Sequence, residues 1–506
     1  MTAAPSRRRL LSATLAAGVA PALVACARLG DRAPCFTLGV ASGSPRPDGL
    51  VLWTRLAPDG PLDPRVDVQW ELAEDEHFQR IVQRGTAPAE ADWGHSVHVQ
   101  VRGLAPARWY WYRFSALGQR SPVGRTRTAP AAGTLDPLTF AIASCQRFDH
   151  GYYAAWRHLA DESPDLVVFL GDYIYEYAPV PGAIRTHQGL TDVRTLAQYR
   201  ARYAQYKGDA DLQRIHASAP WLVTWDDHEV QNDYAGDEAW TGSPTFLQRR
   251  AWAYQAWWEH MPLPPSTRPR GPGLQVFERC DWGALARFHV LDTRQYRDPQ
   301  ACPGKLFGGG RTVDAAACPD LDLPQRTLLG AAQERWLARG LAGTEARWHL
   351  VAQQTLVAPF TWRPDGRRVW TDGWSGYPAA RDRLLDTLAD HHAPNPVLLG
   401  GDVHGNFVCD LHRRGDPAAP VVATEFCGTS IASRGRPQRL LDEALPWNPH
   451  VHYGRRDERG YMAFRLAPDR LDVRLRVLND VNDPHTPVRT AATFHVAAGQ
   501  AGALRG

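Results

Sequence analysis

The sequence predicts an α/β layered fold preceded by an all-β domain. From about residue 138 onward, short apolar runs of strand length alternate with longer helical stretches, the signature of a layered α/β fold. Before residue 130, apolar residues recur at alternate positions and turn signals return about every ten residues, which is typical of a β-sandwich. Because 506 residues exceed one ordinary core, we expect two domains, one of them large.

Residues 1–29 are interpreted as an export signal. Residues 6–11, Ser-Arg-Arg-Arg-Leu-Leu, have the twin-arginine form, and the alanine-rich stretch that follows is too interrupted, by Gly18 and Pro21, for a stable membrane span. An ordinary secretory signal is the alternative for the arginine run. Residues 23–26, Leu-Val-Ala-Cys, resemble a lipoprotein cleavage box that would leave Cys26 lipid-anchored, and plain cleavage nearby is the equal alternative.

This signal predicts a periplasmic or extracellular protein whose first partner is the twin-arginine translocation machinery. A lipid on Cys26 would be its only membrane contact. The 57 basic and 54 acidic residues nearly balance, so the composition gives no nucleic-acid-binding signature. In an oxidising compartment, Cys302 and Cys318 are the best disulfide candidates among the eight cysteines, whereas Cys409 and Cys427 either pair or pack as small hydrophobes.

Residues 30–130 are expected to form a β-sandwich of the immunoglobulin or fibronectin type. The segment 109–114, Trp-Tyr-Trp-Tyr-Arg-Phe, is predicted to be an aromatic-rich strand covered on both faces. Residues 104–110 resemble the corner before a late sandwich strand, where a tyrosine hydroxyl bonds back to the chain. Since no acidic or histidine cluster appears, the domain is predicted to be structural, with substrate or partner binding as the weaker alternative.

Residues 131–137 are a linker by composition, and residues 138–495 form the expected catalytic domain. Its predicted strands are short and apolar: 139–143, 166–170, 221–224, 285–291, 348–352, 397–399 and 421–424. The predicted helices are Tyr152–Asp161, Leu196–Tyr206, Phe246–His260, Gln333–Leu341 and Ala379–His391.

Four predicted strands end abruptly in residues that bind metals. The endings are Ser144-Cys145-Gln146, Gly171-Asp-Tyr-Ile-Tyr175, Trp225-Asp-Asp-His-Glu229 and Gly400-Gly-Asp-Val-His404. Taken singly, each motif is common in turns and helix caps. Because ligands of open α/β sheets bind at the carboxyl ends of the strands, four such endings in order predict one shared metal site.

The residue types at these endings suit two different ions. A neutral phenol, with a pKa near ~10, is a poor ligand, so Tyr175 requires a strongly acidic ion such as Fe(III), and a Cys145 thiolate favours the same ion. Asp227 offers a hard carboxylate to a second ion, and Asp172 is placed to bridge the two. The predicted metal ligands are therefore Cys145, Asp172, Tyr175, Asp227, Asp402 and His404.

The motifs together resemble the calcineurin-like metallophosphoesterase superfamily in its purple-acid-phosphatase branch. A closer resemblance is to the PhoD-type alkaline phosphatase and phosphodiesterase family, and it covers nearly the whole mature chain. The similar segments are Phe36–Ser44, Leu52–Arg55, Ala143–Gln146, Gly171–Tyr175, Asp226–Glu229, Leu291–Tyr296, Gln333–Leu337, Gly401–His404, Thr424–Phe426 and Thr429-Ser430. The resemblance implies a four-layer metallophosphatase sandwich of mixed sheets flanked by helices.

Position by position, the resemblance implies an iron site, a calcium site and a phosphate-binding histidine. Cys145, Asp172, Tyr175 and His404 are similar to the Fe(III) ligands, while Asp172, Asp227 and Asp402 would hold Ca²⁺. His228 matches the histidine that contacts phosphate and protonates the leaving group. Arg147 and Tyr173 adjoin ligands and are predicted to touch phosphate, with a surface arginine and a packed tyrosine as equal alternatives.

The chain departs from purple acid phosphatases at three places. Cys145 replaces an acidic residue, Asp402 replaces a histidine, and Gln353-Gln354 stand where a histidine follows the strand. Oxygen ligands in place of nitrogen favour calcium over zinc or iron, and the role of Gln354 is left open.

The expected activity is hydrolysis of phosphate mono- or diesters by in-line attack of a metal-activated hydroxide. His228, Asp172 and Asp227 are the predicted catalytic residues, with His228 assisting departure of the alcohol. Phosphoester small molecules or phospholipid headgroups are the expected substrates. The alternatives are a phospholipase D-type headgroup phosphodiesterase and a non-catalytic metal-binding module of the cell envelope, and the intact ligand set favours hydrolysis.

Overall fold

Two large β-sheets packed face to face form the centre of the fold. The structure, a computed structural model, describes residues 34–240, 243–304, 308–343 and 345–506. Its strands are β1 (Val40–Arg46), β2 (Gly49–Arg55), β3 (Arg65–Ala73), β4 (Ile81–Glu90), β5 (Ser96–Arg102), β6 (Trp109–Ala116), β7 (Gln119–Arg120), β8 (Gly124–Arg127), β9 (Leu138–Ala143), β10 (Leu166–Phe169), β11 (Pro220–Val223), β12 (Glu278–Trp282), β13 (Ala286–Val290), β14 (Thr312–Asp314), β15 (Trp348–Ala352), β16 (Arg368–Trp370), β17 (Pro396–Gly400), β18 (Asn406–His412), β19 (Val421–Cys427), β20 (Val451–Arg455), β21 (Gly460–Leu466), β22 (Arg470–Leu478), β23 (Val488–Ala497) and β24 (Leu504–Arg505).

Each large sheet has a parallel centre and antiparallel edges. The ten-stranded sheet has the order β24-β23-β22-β21-β9-β10-β11-β1-β2-β5, and β9, β10, β11 and β1 run parallel. The seven-stranded sheet has the order β12-β13-β15-β17-β19-β18-β20, with β13, β15, β17 and β19 parallel. In both sheets the parallel centre brings several strand carboxyl ends to one edge, where α/β proteins bind ligands.

Helices cover the outer face of each sheet. They are α1 (Ala154–Asp161), α2 (Leu196–Lys207), α3 (Ala210–His216), α4 (Phe246–His260), α5 (Gly330–Leu341), α6 (Pro378–Asp390) and α7 (Gln438–Ala444). Aromatic residues of α1, α2 and α4 pack on the ten-stranded sheet, and leucines of α5, α6 and α7 pack on the seven-stranded one. Between the sheets lies an apolar cluster that includes Phe140 and Phe288, whose rings meet edge to face. The predicted four-layer arrangement is confirmed.

The five predicted helices are all present, with ends shifted by up to three residues. The short helices α3 and α7 and the antiparallel strands β20 to β24 near the carboxyl terminus are present without having been predicted from the sequence.

The N-terminal region is all-β, as predicted, but its strands divide between two sheets. Strands β3, β4, β6, β7 and β8 form a separate antiparallel sheet, while β1, β2 and β5 extend the ten-stranded sheet, where Ser42 pairs with Pro220. An apolar cluster that includes Leu52, Val68 and Tyr112 fills the space between the two sets of strands. The predicted corner is also present, since the Ala105 N–H donates to the Tyr110 hydroxyl over 3.1 Å. The domain boundaries at 130 and 138 stay a prediction.

Several predictions concern the termini and the cysteines. The proposed signal of residues 1–29, with Cys26, lies outside the described residues. Within the described part, no helix has the length and apolar character needed to cross a bilayer. Cys302 and Cys318 form a disulfide, and Cys409 and Cys427 are buried free thiols.

Candidate metal centre

The four strand endings meet at one place, as the sequence predicts. Strands β9, β10 and β11 are neighbours in one sheet, and β17 lies in the facing sheet. Asp172 is common to three groups in which ligand atoms from three residues lie within 4.8 Å of one another. Those groups are Cys145 with Asp172 and His404, Asp172 with Asp226 and Asp402, and Asp172 with Asp227 and His228.

Tyr175 joins the first of these groups through its hydroxyl. That hydroxyl donates to Asp172 Oδ2 over 2.7 Å and lies 3.3 Å from His404 Nε2. The Ser433 Oγ lies 2.8 Å from the same phenol oxygen. Residues predicted as iron ligands from three different strand endings therefore come together.

His404 is held in the form that binds metals. Its Nδ1 lies 2.8 Å from the Arg434 carbonyl oxygen, so Nδ1–H donates and Nε2 presents a lone pair to the Asp172 side. Burial lowers the pKa of His404 to about 3, which keeps the imidazole neutral.

The buried thiol, phenol and carboxylates beside it are suited to bind a cation. Burial, then the charges of Asp172 and Asp402, raise the pKa of the Cys145 thiol well above its usual value, and burial raises that of Tyr175 in the same way. Three buried carboxylate oxygens, Asp172 Oδ1, Asp226 Oδ2 and Asp227 Oδ1, have no hydrogen-bond partner. Burying an oxygen without a hydrogen-bond partner destabilises a fold. The three unpaired carboxylate oxygens, which also repel one another, therefore fit a site that binds metal ions.

Asp226 also reaches the site, although it is not among the ligands predicted from the sequence. Within a strand, the side chains of two adjacent residues would point to opposite faces. Strand β11 ends at Val223, before the Asp pair. Asp226 and Asp227 therefore both reach ligand groups, Asp226 beside Asp402 and Asp227 beside His228.

Asp227 also belongs to a second group of three carboxylates. Ligand atoms of Asp227, Asp233 and Asp372 also lie within 4.8 Å of one another, and Asp227 Oδ2 accepts from the Asp233 N–H over 2.6 Å. The other ligands were predicted because each follows directly after a predicted strand. Asp233 and Asp372 follow no predicted strand and so were not predicted.

Arg294 compensates the concentrated negative charge. Its Nε donates to Asp226 Oδ1, and its Nη1 and Nη2 each lie 2.9 Å from a carboxylate oxygen of Asp372. Burial alone would raise the pKa of Asp227, but the charges of Arg294 and His228 lower it below its usual value. The buried arginine thus keeps part of the cluster ionised.

Glu229 ties two ligand-bearing endings together. Its Oε1 accepts from the Tyr173 N–H (2.6 Å), and its Oε2 accepts from the N–H groups of Asp172 (3.2 Å) and Asp226 (2.9 Å). Burial raises the pKa of Glu229 to about 7, and the backbone donors oppose that shift. Because both oxygens face N–H donors, the ionised form fits the geometry.

Gln354, whose role the sequence left open, forms hydrogen bonds to the chain at the ends of β11 and β13. Its Nε2 lies 2.8 Å from the Thr224 hydroxyl and from the carbonyl oxygens of Trp225 and Leu291. Its buried Oε1 has no partner. Gln354 therefore links three strand ends.

His228 is paired with Glu176. Its Nδ1 lies 2.8 Å from Glu176 Oε2, whose other oxygen accepts from the Asn232 N–H. Burial opposes the charge on His228, but Asp227, Glu176 and Asp172 together raise its pKa well above the usual value. The imidazole ring packs against the Tyr175 ring, with 4.1 Å between centroids and an angle of 31° between the ring planes. The raised pKa favours the protonated form, which could donate a proton at the edge of the ligand cluster.

The two residues predicted to touch phosphate occupy different surroundings. Arg147 pairs with Asp149, with Nε 2.7 Å from Oδ1, and its guanidinium lies over the Tyr177 ring. Tyr173 is fully buried and its hydroxyl lies 2.8 Å from His216 Nε2. That position fits the packed-tyrosine alternative rather than phosphate contact, whereas the role of Arg147 stays a prediction.

Comparison with known proteins shows the family to which the chain belongs. The family model of the PhoD-like phosphatases matches residues 140–475, and that of the PhoD-like phosphatase N-terminal domain matches residues 22–130. The chain is 43% identical over 485 residues to alkaline phosphatase D of Bacillus subtilis (strain 168), covering 92% of this chain and 82% of the relative.

Solved structures show similarity to the same family and a fold shared with a purple acid phosphatase. A structure of PhoD has 42% sequence identity and a TM-score of 0.87, covering 93% of this chain and 92% of that chain. The purple acid phosphatase PPD1 from yellow lupin (Lupinus luteus) seeds shares the fold, with a TM-score of 0.57 at 12% identity, over 92% of this chain and 74% of that one. The chain is a phosphoesterase that belongs to the PhoD-like phosphatase family.

Proposed function

We propose that this phosphoesterase is exported and hydrolyses phosphate mono- and diesters at an asymmetric site for Fe(III) and Ca²⁺. The observation that carries the proposal is the division of donors around Asp172. On one side lie the sulfur, phenol and imidazole of Cys145, Tyr175 and His404. On the other side the carboxylate oxygens of Asp226, Asp227 and Asp402 face the same aspartate.

The donor chemistry assigns the two ions. Thiolate and phenolate suit Fe(III), whose charge lowers the pKa of both groups. A set of hard carboxylate oxygens suits Ca²⁺. Asp172, with Oδ2 toward Tyr175 and Oδ1 unpaired, is placed to contribute to both sides.

The protein residues would position the ester and move one proton. Bound cations supply Lewis acidity that neutralises the phosphate oxygens and acidifies water. A water oxygen that has lost one proton to solvent would form the new bond to phosphorus while the bond to the leaving oxygen opposite it breaks. His228 donates its proton to that leaving oxygen, so an alcohol departs, and Glu176 holds the imidazolium in place.

Two features support export. The twin-arginine form of residues 6–11 is typical of an export signal, and a disulfide between Cys302 and Cys318 suits an oxidising compartment.

The direct test combines spectroscopy with turnover on the purified mature protein. We expect a visible phenolate-to-iron band and hydrolysis of a chromogenic phosphodiester that requires calcium. Tyr175→Phe should abolish the band, while the matched Tyr177→Phe should keep it. A band that survives Tyr175→Phe would remove the iron assignment, and full activity after exhaustive chelation would remove the metal mechanism.

A second test separates chemistry from folding. Asp172→Asn should abolish turnover and leave the protein folded, because the amide keeps the size of the side chain. Asp165→Asn is the matched control, since Asp165 precedes β10 at the end opposite Asp172 and pairs with Arg127. Activity retained in Asp172→Asn would contradict the bridging role.

A further inference from the structure

A cavity of about 940 Å³ opens directly beside the metal centre. Asp402 and His404 form part of its wall, and most of the rest comes from residues 355–375 and 434–456, which belong to neither the iron nor the calcium ligand set. A phosphomonoester with a small alcohol would leave most of this space empty. The cavity therefore suits a substrate that extends well beyond the scissile phosphate.

The wall of the cavity is strongly positive. Five arginines line it: Arg363, Arg368, Arg434, Arg436 and Arg456. The first four are exposed, and within the described part of the chain none of them forms a salt bridge. The acidic lining residues are Asp402, at the metal centre, and Glu443, which pairs with Arg439. Guanidinium groups without acidic partners favour anions, phosphate above all.

Arg456 is the most deeply placed of these arginines. It is 8% exposed, its Nη2 donates to the Val403 carbonyl oxygen over 3.0 Å, and its buried Nε has no partner. Burial lowers the pKa of Arg456 to about 10, and the charge of Arg436 adds to that effect. A second anion near the metal centre would relieve both the unpaired donor and the repulsion between these arginines.

Aromatic rings lie beside two of the arginines. The Arg436 guanidinium lies 5.4 Å from the centroid of the Trp370 ring, and that of Arg456 lies 5.2 Å from Trp362. Trp447, which is 38% exposed, also lines the cavity. Exposed rings beside guanidinium groups bind flat, anionic molecules, because a base stacks on the ring while its phosphate meets the arginine.

We propose that this cavity binds the distal part of a nucleotide-type phosphodiester, one that carries a planar base and a second phosphate beyond the scissile one. The inference rests on the proposed phosphodiesterase function and names its substrate class. A zwitterionic phospholipid offers only one phosphate, which the metal centre would take, and so leaves five arginines without an anion. The charge of the cavity therefore favours a nucleotide over a lipid.

The test compares substrates that differ by one phosphate. With the metal-loaded enzyme, kcat/KM for cleavage of the internal ester would be measured by product chromatography for dithymidine monophosphate and for its 5′- and 3′-phosphorylated forms. We expect at least one phosphorylated form to be preferred by about tenfold or more, the effect of one charge-assisted hydrogen bond. Equal kcat/KM for all three, with normal hydrolysis, would overturn the inference and leave the phosphoesterase function intact.

Variants assign the preference to the cavity. Arg436→Gln and Arg363→Gln should each reduce the preference ratio severalfold, whereas the control Arg455→Gln should not, because Arg455 pairs with Asp457 and does not line the cavity. A ratio unchanged in both cavity variants would refute the assignment. Faster hydrolysis of phosphatidylcholine in mixed micelles than of any dinucleotide would instead favour a lipid substrate.

Whether the cavity binds a nucleotide can be measured even if no diester is hydrolysed. Titration calorimetry with thymidine 3′,5′-bisphosphate should show binding to the wild type and about tenfold weaker binding to Arg436→Gln. Loss of turnover with this binding intact would refute the proposed function alone. Absence of binding would refute the nucleotide subsite.

Discussion

Replacing Glu229 with Gln is expected to loosen two metal-binding loops at once. The carboxylate accepts three backbone N–H groups, from Asp172 and Tyr173 after β10 and from Asp226 after β11. Gln has nearly the same size, so the substitution opens no cavity. It changes only the charge and one acceptor.

The loss of stability in Glu229→Gln can be estimated from the hydrogen-bond acceptors that the side chain loses. In the less costly orientation, the Gln oxygen takes the place of Oε2 and its NH₂ faces the Tyr173 N–H, which loses its partner. A buried unsatisfied N–H costs about 1–3 kcal/mol, and each of the two remaining bonds, no longer charge-assisted, weakens by about 1 kcal/mol. The free energy of unfolding should therefore fall by about 3–5 kcal/mol, a large share of the ~5–15 kcal/mol typical of a folded protein.

The assay must distinguish a loss of folding stability from a displacement of the two metal-binding loops. Glu259→Gln is a matched control, because Glu259 is equally buried and pairs with Arg200 on α2, away from the ligand cluster. Both variants should unfold at lower urea, but only Glu229→Gln should also lose bound metal, measured by elemental analysis, and kcat/KM on a chromogenic diester. If Glu229→Gln keeps its metal content and stays within twofold of wild-type kcat/KM, Glu229 does not position the endings.

Three further outcomes are expected. Glu176→Gln should lower kcat by about 10²-fold with little change in KM, because His228 loses the charge that keeps it a proton donor; an unchanged kcat would exclude His228 as the general acid. Tyr110→Phe removes the acceptor of the Ala105 N–H and should cost about 1 kcal/mol in thermal unfolding without touching activity; equal stability would show that the corner contributes nothing. The hydrogen bond to Asp410 raises the pKa of His452, so the stability that it gives is complete below the unfolded pKa of about 6.5 and is lost as pH rises through the folded value. His452→Gln should therefore destabilise more at pH 6 than at pH 9, and a difference independent of pH would contradict this reading.

The sequence was most informative where local pattern and topology agree. An apolar run followed by a ligand residue marks both a buried strand and its carboxyl end, so Cys145, Asp172 and the Asp402–His404 ending were found from pattern alone. Helices α1, α2, α4, α5 and α6 were found for a similar reason, since their periodicity lies within one segment.

What the sequence did not reveal depends on contacts between distant residues. The pairing of Ser42 with Pro220 makes N-terminal strands part of the ten-stranded sheet, and no local pattern links residues so far apart. Asp233 and Asp372 reach the site from loops, and their positions depend on how those loops pack. Asp226 was missed because no local pattern shows that both aspartates of an adjacent pair reach the site, and they do so only because β11 ends before them.

The backbone at four of the predicted ligands departs from the extended conformation of a strand. Cys145, Asp172, Asp402 and His404 have φ values of 57°, 60°, 61° and 50°, in the left-handed region that favours glycine. Each such residue costs about 1–2 kcal/mol, so the four together store about 4–8 kcal/mol. An ordinary turn would place glycine at these positions and avoid that cost, but glycine has no side chain to bind a metal.

The strain therefore has to be offset by contacts around the endings. The Cys145 N–H donates to the Gly171 carbonyl oxygen over 3.0 Å, and the Asp172 N–H donates to Glu229. Each left-handed residue turns the chain away from the strand, so that its side chain faces the shared cluster instead of continuing the alternation of the strand. Four strained, non-glycine residues among six predicted ligands, held by neighbouring backbone, are what a preorganised metal site requires.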